Sequence, residues 1–369
     1  MKVCHLTSLH SPNDIRIFIK ECSTLGRSNI DTHYVVPSEV SYTKDNVVIH
    51  SVKKEDTNRL KRMVSTTKLV YEKALEINAD VYHFHDPELI PIALQLKSKE
   101  KKVVYDVHED MPRSILSKYW IPKPFRKIIA YSFEKYENSK SKRFDYIIGA
   151  TPYIANRFSK INPNTIDINN YPLLKELANK EPSLKKEKQV CYVGGITPIR
   201  GISNIVKVSN LVKGDIIMAG NISGEELEKE IKTSKVKYKG LLNREEVNSL
   251  LNKSVAGLVL FLPEPNHINA QPNKMFEYMS AGIPVIASNF PLWREIIEGN
   301  KCGICVDPED PKEIANAIQW IFDNPEEAVN MGKNGRKAVE EKYNWEAESV
   351  KLINLYKVLE RKINNDKES

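Results

Sequence analysis

Short runs of apolar residues alternate with longer amphipathic stretches along this chain of 369 residues. The apolar runs have the length of buried strands, and the stretches between them repeat apolar residues with the period of a helix. In the first half, the predicted strands cover residues 2–7, 32–36, 47–52, 81–85, 103–107, 146–149 and 165–169. The helices predicted between them cover residues 15–25, 58–77, 90–98, 124–140 and 152–159.

The second half of the chain repeats the same alternation. Its predicted strands cover residues 190–193, 215–219, 236–239, 256–260, 284–287 and 303–306. Its predicted helices cover residues 202–211, 225–232, 244–251, 273–281, 292–297, 311–322 and 325–341. Strands and helices that alternate at this spacing predict an α/β fold, with parallel sheets covered by helices on both faces. Ligands of such sheets bind beyond the carboxyl ends of the strands.

The alternation is interrupted once, at residues 171–188, which contain two prolines and a charged run. A chain of this length is long enough for two domains of ordinary size. We therefore predict a first domain at residues 1–171, a linker at residues 172–188 and a second, similar domain at residues 189–344. A last helix, at about residues 345–362, carries an apolar face and is predicted to pack back on the first domain.

Composition indicates a globular protein, because 41% of the residues are hydrophobic and 28% are charged. The apolar runs are much shorter than a bilayer span, and the chain enters its first strand without the apolar region of a signal peptide. We therefore expect a cytoplasmic location. The five cysteines are irregularly spaced and do not suggest a disulfide framework. The Cys302-x-x-Cys305 pair falls in a predicted buried strand, which favours a structural role over a redox or metal site.

The formal net charge of +7 is modest for this length and does not indicate a nucleic-acid partner. Basic residues are nevertheless concentrated between Lys118 and Arg143. This segment contains eight basic residues and only two acidic ones. Aromatic and aliphatic residues, among them Tyr119, Trp120 and Phe125, are interleaved with them. Such a segment can lie on the surface of an anionic membrane, and it can equally be an amphipathic helix with a solvated basic face.

A glycine-rich turn opens the second domain, where the strand that ends at Val193 is followed by Gly194 and Gly195 and then by Arg200 and Gly201. Glycines let the backbone approach an anion closely, and an arginine adds a charge-assisted contact to phosphate. The spacing fits neither a dinucleotide fingerprint nor a P-loop. Taken alone, the turn is equally compatible with a solvent-facing arginine.

A second motif follows the apolar strand at residues 256–262. Pro272 is well placed for the first turn of a helix, which Gly282 then ends. Lys274 and Glu277 are three residues apart and therefore lie on one face of this helix. An ammonium and a carboxylate at the mouth of a parallel sheet would suit a ribose diphosphate. By spacing alone, however, the pair favours an ordinary surface ion pair.

A resemblance to a known protein family favours the ligand-binding interpretation over the surface ion pair. The string PNKxFEYMxxGxPVIA, from Pro272 to Ala287, resembles the donor-binding segment of the family 4 retaining glycosyltransferases, also called group 1 glycosyltransferases. These enzymes have the GT-B fold, in which two Rossmann-like domains face a central cleft. Residues 14–21, 83–89, 105–109, 194–201, 300–311 and 343–345 resemble further segments of the family in the same order. The resemblance covers almost the whole chain, and the central string is its specific part.

The resemblance implies a transfer of a sugar, with retention of configuration, from a nucleotide-sugar to a glycan, lipid-linked or other hydroxyl acceptor. UDP is the preferred nucleotide, and no cofactor or metal is required. The expected pathway is the synthesis of cell-surface polysaccharide or glycoconjugate. The expected location is the cytoplasm, including the inner face of the membrane. The catalytic residues that it implies are His108, Arg200 and Lys274. The implied donor-binding residues are Gly194, Gly195, Arg200, Leu241, Leu242, Asn269, Gln271, Lys274 and Glu277. The implied acceptor and cleft residues are Asp14, Arg16, His85, Asp86 and His108.

Two positions depart from the family pattern. The first glutamate of the family's E-x7-E motif corresponds to Asn269, and Gly195 stands where the family often has an arginine. Lys274 is a candidate to replace that missing cation. The departures keep two other functions open, a non-catalytic partner subunit with the same fold and a sugar-nucleotide epimerase or hydrolase. The side chains of His83, His85, Asp86 and Glu88 imitate a metal-ligand cluster, but we expect them to line the cleft.

Overall fold

The computed structural model describes residues 1–53, 59–118, 120–174 and 186–368. The chain divides into two units, one formed by Met1–Asn170 with Glu346–Ser369 and the other by Tyr171–Trp345. We refer to them as unit 1 and unit 2. The centre of the predicted linker, residues 175–185, lies outside the described residues. Tyr119 and the predicted helix start at Asn58 lie outside them as well.

Unit 1 contains an eight-stranded sheet in the order β3-β4-β2-β1-β5-β6-β7-β8. Its strands are β1 (Lys2–Leu6), β2 (Asp31–Pro37), β3 (Tyr42–Lys44), β4 (Val47–Val52), β5 (Val81–Phe84), β6 (Lys102–Val107), β7 (Tyr146–Gly149) and β8 (Thr165–Asp167). All neighbouring strands pair in parallel except β3 and β4. The predicted parallel sheet is therefore confirmed, with one antiparallel strand at its edge.

The helices of unit 1 begin with a π-helix, Ile15–Cys22, which runs directly into α1 (Ser23–Arg27). The others are α2 (Arg59–Ile77), α3 (Ile90–Lys97), α4 (Met111–Leu116), α5 (Lys123–Ser141) and α6 (Pro152–Ser159). Asp14 fixes the start of the π-helix, because its carboxylate accepts hydrogen bonds from the backbone N–H groups of Arg16 and Ile17. This cap places the first turn of the π-helix at the carboxyl ends of the central strands, where Arg16 reaches Asp106.

Unit 2 contains a six-stranded parallel sheet in the order β11-β10-β9-β12-β13-β14. Its strands are β9 (Gln189–Val193), β10 (Asp215–Ala219), β11 (Lys237–Tyr238), β12 (Ala256–Val259), β13 (Val285–Ser288) and β14 (Gly303–Val306). Its helices are α7 (Ile202–Val208), α8 (Glu225–Lys232), α9 (Arg244–Lys253), α10 (Asn273–Ser280), α11 (Pro291–Ile297), α12 (Pro311–Asp323) and α13 (Pro325–Glu341). Apolar side chains cover both faces of this sheet, as they do in a doubly wound domain.

The last helix, α14 (Trp345–Glu368), returns the chain to unit 1. Its Tyr356 is fully buried beside His83 of β5, so the helix completes the core of the unit in which the chain began. Among the described residues, no helix combines the length and the apolar character needed to cross a bilayer.

Candidate functional site

The glycine-rich turn of unit 2 follows β9 directly. Gly194 has φ 123° and Gly201 has φ 70°, and between them lies a single 3-10 turn, Pro198–Arg200. A Cβ atom on Gly201 would lie 1.9 Å from the carbonyl oxygen of Leu260. Both the backbone angle and the close approach therefore require glycine here, and they fold Arg200 back over the turn.

Lys274 is the second residue of α10, and its side chain is buried. Its Nζ lies 3.7 Å from the centre of the Tyr192 ring, and the described residues offer it no hydrogen-bond acceptor. A Cβ on Gly194 would lie 3.0 Å from this Nζ, so the ammonium faces the bare backbone of the turn. Burial, with the nearby charge of Arg200, holds the pKa of Lys274 well below its usual value, and Glu277 opposes the shift.

Arg200 lies on the other side of the same turn. Its Nη1 donates a hydrogen bond of 3.1 Å to the carbonyl oxygen of Gly195, which also accepts a bond of 2.7 Å from the hydroxyl of Tyr192. A Cβ on Gly195 would lie 3.0 Å from the Arg200 Nη1. A side chain at position 195 would therefore have to displace the end of the Arg200 side chain slightly.

The N-terminal end of α10 is fixed from two sides. The Tyr278 hydroxyl accepts a hydrogen bond of 2.9 Å from the backbone N–H of Val193, which ties the helix to the end of β9. The Trp293 indole donates a bond of 2.7 Å to the carbonyl oxygen of Ala270, which holds the preceding loop. Two cations, an open glycine turn and a helix N-terminus thus converge on one place, an arrangement that favours an anion such as phosphate.

Glu277 does not pair with Lys274, so the surface ion pair favoured by spacing alone is wrong. Lys274 is buried, and the Glu277 carboxylate instead lies 3.4 Å from the Arg244 guanidinium of α9. Asn269 and Gln271 lie half-buried in the loop before α10, and Gln271 Oε1 is shielded from solvent with no hydrogen-bond partner among the residues described.

The turn after β11 carries the two leucines predicted to contact a base. Gly240 has φ 72°, and its carbonyl oxygen accepts a hydrogen bond of 2.8 Å from the backbone N–H of Gly220. Leu241 is 75% exposed, whereas Leu242 packs against the core. Leu241 therefore has free surface for a ligand at the edge of the sheet.

The residues predicted for the first domain also meet at the carboxyl ends of strands, in unit 1. His10 connects two of them, since its Nδ1 lies 2.9 Å from Asp14 and its Nε2 lies 3.4 Å from Asp86. Asp86 also accepts hydrogen bonds from the Thr7 hydroxyl and the Ser8 N–H, both of 2.7 Å. Partial burial lowers the pKa of His10, but the two carboxylates outweigh it and raise that pKa to about 10. His10 is therefore a cation at neutral pH.

Asp106, at the end of β6, organises the remaining residues. It binds the Arg16 guanidinium through two hydrogen bonds of 2.9 and 2.7 Å, and it lies 3.2 Å from His85 Nδ1 and 3.1 Å from His108 Nε2. Burial raises the pKa of this carboxyl, but the surrounding positive and donor groups hold it well below its usual value. Arg16 is buried and also donates to the carbonyl oxygen of Ile168, whereas His108 keeps 18% of its side chain exposed.

The CxxC pair takes no part in either group of residues. Cys305 lies within β14 and Cys302 directly before it, Cys302 is buried, and both are free thiols. Burial raises the pKa of each thiol to about 12. The predicted strand is confirmed at Gly303–Val306, but it is only partly buried, because Ile304 and Cys305 keep some exposure. Thiols this weakly acidic are poor nucleophiles.

Comparison with known proteins identifies unit 2. Residues 175–338 match the family model described as Glycosyl transferases group 1. Over these residues unit 2 resembles the group 1 glycosyltransferases. An uncharacterized glycosyltransferase of Methanocaldococcus jannaschii is 29% identical over 124 residues, which is 34% of this chain and 30% of that protein. The match thus spans less than a third of this curated relative's length.

Solved structures share the fold of the whole chain, which is GT-B. Sucrose-phosphate synthase of Thermosynechococcus elongatus superposes with a TM-score of 0.77 at 17% identity, over 97% of this chain and 98% of that one. HepE of Anabaena, solved in complex with UDP and glucose, superposes with a TM-score of 0.74 at 14% identity, over 97% and 100% of the two chains. The two Rossmann-like domains predicted from the resemblance are therefore confirmed as a fold.

Sequence reasoning missed several residues that the structure places at these sites. Tyr192 and Phe261 supply the aromatic walls around Lys274 and Arg200, and Arg244 faces Glu277. His10 holds Asp14 and Asp86 together. Only His10 carried a local signal, because it lies four residues before Asp14 in a polar turn. The others come from elements distant in sequence, and no periodicity connects them.

Proposed function

We propose that this protein is a glycosyltransferase and moves a sugar from a UDP-sugar to a glycan, lipid-linked or other hydroxyl acceptor, with retention of configuration at the anomeric carbon. The roles follow the residues predicted from the sequence. Arg200 and Lys274 hold the diphosphate, Glu277 binds the ribose hydroxyls and His108 faces the transferred sugar. Such a reaction would serve the synthesis of cell-surface polysaccharide or glycoconjugate at the inner face of a membrane.

One observation carries the proposal, the buried ammonium of Lys274 without a hydrogen-bond acceptor among the described residues. A buried donor without a partner costs folding free energy, so its place in the structure calls for a function. Here the ammonium lies beside Gly194, whose Cβ position is 3.0 Å away, and close to Arg200. A diphosphate over this turn would give Lys274 its missing acceptor and neutralise both cations.

The chemistry of the transfer needs positive charge at this place. As the bond between the sugar and the phosphate breaks, the diphosphate gains negative charge and the anomeric carbon becomes cationic. Arg200, Lys274 and the N-terminal amides of α10 stabilise the departing anion, so we propose that the transfer itself requires no metal. Since none of the predicted site residues is a carboxylate placed as a nucleophile, we favour front-face attack by the acceptor, assisted by the leaving phosphate.

The two other functions differ from a transferase in what they consume. A hydrolase or epimerase would consume the donor when no acceptor is present, and a non-catalytic subunit would bind nucleotide weakly and release no UDP. Asn269 and Gly195 motivate the non-catalytic alternative. The position of Arg200 argues against it, because its guanidinium keeps a cation at this turn beside Gly195.

The nucleotide preference can be measured by thermal shift. We expect UDP at about a hundred times its Kd to raise the melting temperature by roughly 5 to 10 °C, and ADP and GDP at the same concentration to raise it less. The reason for the preference is that the turn at Gly240 and Leu241 resembles the base-binding edge of the family, where uridine is the commonest base. The Lys274→Met variant is the control, because it should lose most of the UDP shift. Equal shifts for the three nucleotides, or a larger shift with ADP or GDP, would contradict the choice of uridine.

A surface of unit 1 supports a lipid-linked acceptor. On α5 and the turn before it, five large apolar side chains are exposed, Trp120, Phe125, Ile128, Ile129 and Tyr131. Phe125 and Ile128 are 57% and 63% exposed, and Lys123 and Lys127 lie exposed among them. Exposed apolar groups with basic neighbours match the boundary of an anionic membrane, where rings enter the headgroup layer and lysines contact lipid phosphates. We propose that this surface binds an anionic membrane.

Reversing the charges of Lys123 and Lys127 to Glu should weaken binding to anionic vesicles at least thirtyfold, since each lysine near such a surface contributes about 1 kcal/mol. Arg126 is left unchanged, because it bonds to the carbonyl oxygens of Ile121 and Leu116 within the fold. The matched control reverses two exposed lysines elsewhere in unit 1, Lys99 and Lys160. Co-sedimentation measures the binding. Equal losses of vesicle binding in both variants would show that only net charge matters and would contradict the proposed membrane-binding surface.

A further inference from the structure

A fully buried group of imidazole and carboxylate side chains lies inside unit 1, behind the residues assigned to the transfer. It consists of His5 of β1, Glu21 of the π-helix, His83 of β5 and His85, which directly follows β5. One ring nitrogen of each histidine and one carboxylate oxygen of Glu21 all lie within 4.8 Å of one another. The proposed function uses none of His5, Glu21 and His83.

Some polar atoms of this group lack hydrogen-bond partners, whereas His5 Nδ1 and His85 Nε2 lie 3.0 Å apart and can bond to each other. Both oxygens of Glu21 and the Nε2 of His83 are buried without a hydrogen bond among the described residues. Arg16 approaches one of these oxygens, with its Nε 3.2 Å from Glu21 Oε1, and leaves Oε2 to face the imidazoles. Oε2 lies 3.8 Å from His83 Nε2 and 3.9 Å from His5 Nδ1. Buried polar atoms without a hydrogen bond are rare in folded proteins and point to a bound partner.

The opposite nitrogen of each histidine is held from outside the group. His85 turns its Nε2 inward, 3.0 Å from His5 Nδ1, while its Nδ1 lies 3.2 Å from the Asp106 carboxylate. The Tyr356 hydroxyl lies 2.7 Å from His83 Nδ1 and 3.4 Å from His5 Nε2. A hydroxyl oxygen has two lone pairs and can accept from both rings. The Tyr356 hydroxyl and the Asp106 carboxylate can therefore accept an N–H from each ring on its outer side, which would leave the inner nitrogens as metal ligands once a metal replaced the contact between His5 and His85.

We propose that His5, Glu21, His83 and His85 form a closed binding site for a divalent transition metal, with Zn²⁺ as its best occupant. Three imidazole nitrogens and one carboxylate oxygen suit tetrahedral zinc, whose ligand atoms lie about 2.0 to 2.2 Å from the metal and therefore about 3.4 Å from each other. The observed spacings of 3.0, 3.8 and 3.9 Å bracket that value. Outward partners such as Asp106 and Tyr356 are the supports that ligating histidines usually have.

The site is distinct from the proposed transfer chemistry. All four side chains are fully buried or nearly so and leave no open coordination position for a substrate, which is typical of a structural metal. Asp86 and Glu88, which the sequence grouped with these histidines, turn away toward Ser8.

The test starts with the full chain purified without chelator and measures bound metal by mass spectrometry of the elements. We expect about one Zn²⁺ per chain. Removing the metal with a strong chelator should lower the melting temperature by roughly 5 to 10 °C, and added Zn²⁺ should restore it. Cobalt substituted for zinc should give the intense visible absorption of a tetrahedral site. Less than about a tenth of a metal ion per chain, together with no thermal shift on adding Zn²⁺ or Co²⁺ to the chelated protein, would overturn the proposal.

Two variants assign the metal to this place. Glu21→Gln and His83→Gln should each lose most of the bound zinc, whereas His33→Gln should keep it, although His33 also stacks on a second histidine, His50. Zinc lost from His33→Gln alone would place the metal at that surface pair and refute the buried site. The UDP shift depends on unit 2 and is measured on the same samples. A failure of the zinc proposal is therefore distinguishable from a failure of the proposed transfer.

Discussion

Replacing Lys274 with Met should lower kcat about a hundredfold and at the same time make the ligand-free protein more stable, by about 1 kcal/mol or more. The buried ammonium has no hydrogen-bond acceptor among the described residues, so it costs folding free energy in the absence of ligand. Methionine fills a similar volume and packs well against the Tyr192 ring. The same ammonium is the group proposed to meet the charge that grows on the diphosphate. Stability and turnover should therefore change in opposite directions.

Proton uptake gives a second measurement on the same residue. Since burial lowers the pKa of Lys274 in the ligand-free protein, a bound diphosphate should raise that pKa again. Between these two pKa values the complex holds a proton that the free protein lacks, so UDP binding should take up as much as one proton and tighten as the pH falls. Calorimetry at several pH values below the usual lysine pKa, in buffers of different ionisation enthalpy, measures the uptake. The Lys274→Met variant should show none.

The matched control for Lys274 is Lys237→Met, which removes an exposed lysine paired with Asp215 in the same unit. Neither turnover nor proton uptake should change in this control. UDP release from the UDP-sugar that gives the highest parental rate measures turnover. If Lys274→Met turned over like the parent, the diphosphate would bind elsewhere and the placement of the active site would be wrong.

Replacing Arg16 with Met should destabilise unit 1 by about 4 kcal/mol and lower its melting temperature by roughly 10 °C. Arg16 is 4% exposed and holds two buried carboxylates, through two hydrogen bonds to Asp106 and an approach of 3.2 Å to Glu21. Removing the guanidinium leaves both carboxylates buried without their main cation. The contact of Arg16 with an acceptor stays a prediction, since its guanidinium is engaged inside the unit.

The control for Arg16 is Arg27→Met, which breaks an ion pair with Asp45 at a site where Arg27 is 66% exposed. A solvated pair of this kind contributes at most about 1 kcal/mol, so the melting temperature should fall by a few degrees at most. Urea unfolding of both variants gives the free energies. A loss in Arg16→Met no larger than that in Arg27→Met would show that the buried network is not a stability element.

Much of the fold could be predicted from the sequence, because a strand buried on both faces must be a short, continuous apolar run. The predicted bounds for β4, β7, β10 and β14 agree with the structure at every residue. The missed strand, β3, has no such run, since it lies at the sheet edge and is largely exposed. The sequence signal for this strand was the turn that joins it to β4. Asp45 and Asn46 both have positive φ and form the two-residue loop of the hairpin.

The candidate site was less predictable, because side-chain partners come from tertiary contacts. The spacing of Lys274 and Glu277 placed them on one helix face. It could not show that Lys274 would pack against Tyr192 and that Glu277 would pair with Arg244. Likewise, the pattern His83-x-His85 marks the end of a strand, whereas the approach of His5 and Glu21 depends on the order of strands in the sheet. Whether a motif performs the chemistry that it suggests depends on side chains that tertiary contacts bring next to it.

The position of Tyr356 has a consequence for how the protein is made. The hydroxyl that holds His83 and His5 belongs to α14, which the ribosome delivers only after all of unit 2. At translation rates of 5 to 20 residues per second, the first 170 residues wait roughly 10 to 40 seconds for this helix. Unit 2 can close its own core during that interval. The part of unit 1 that is synthesised first therefore finishes folding last, because Tyr356 reaches its histidines only after residues 171–345 have been made.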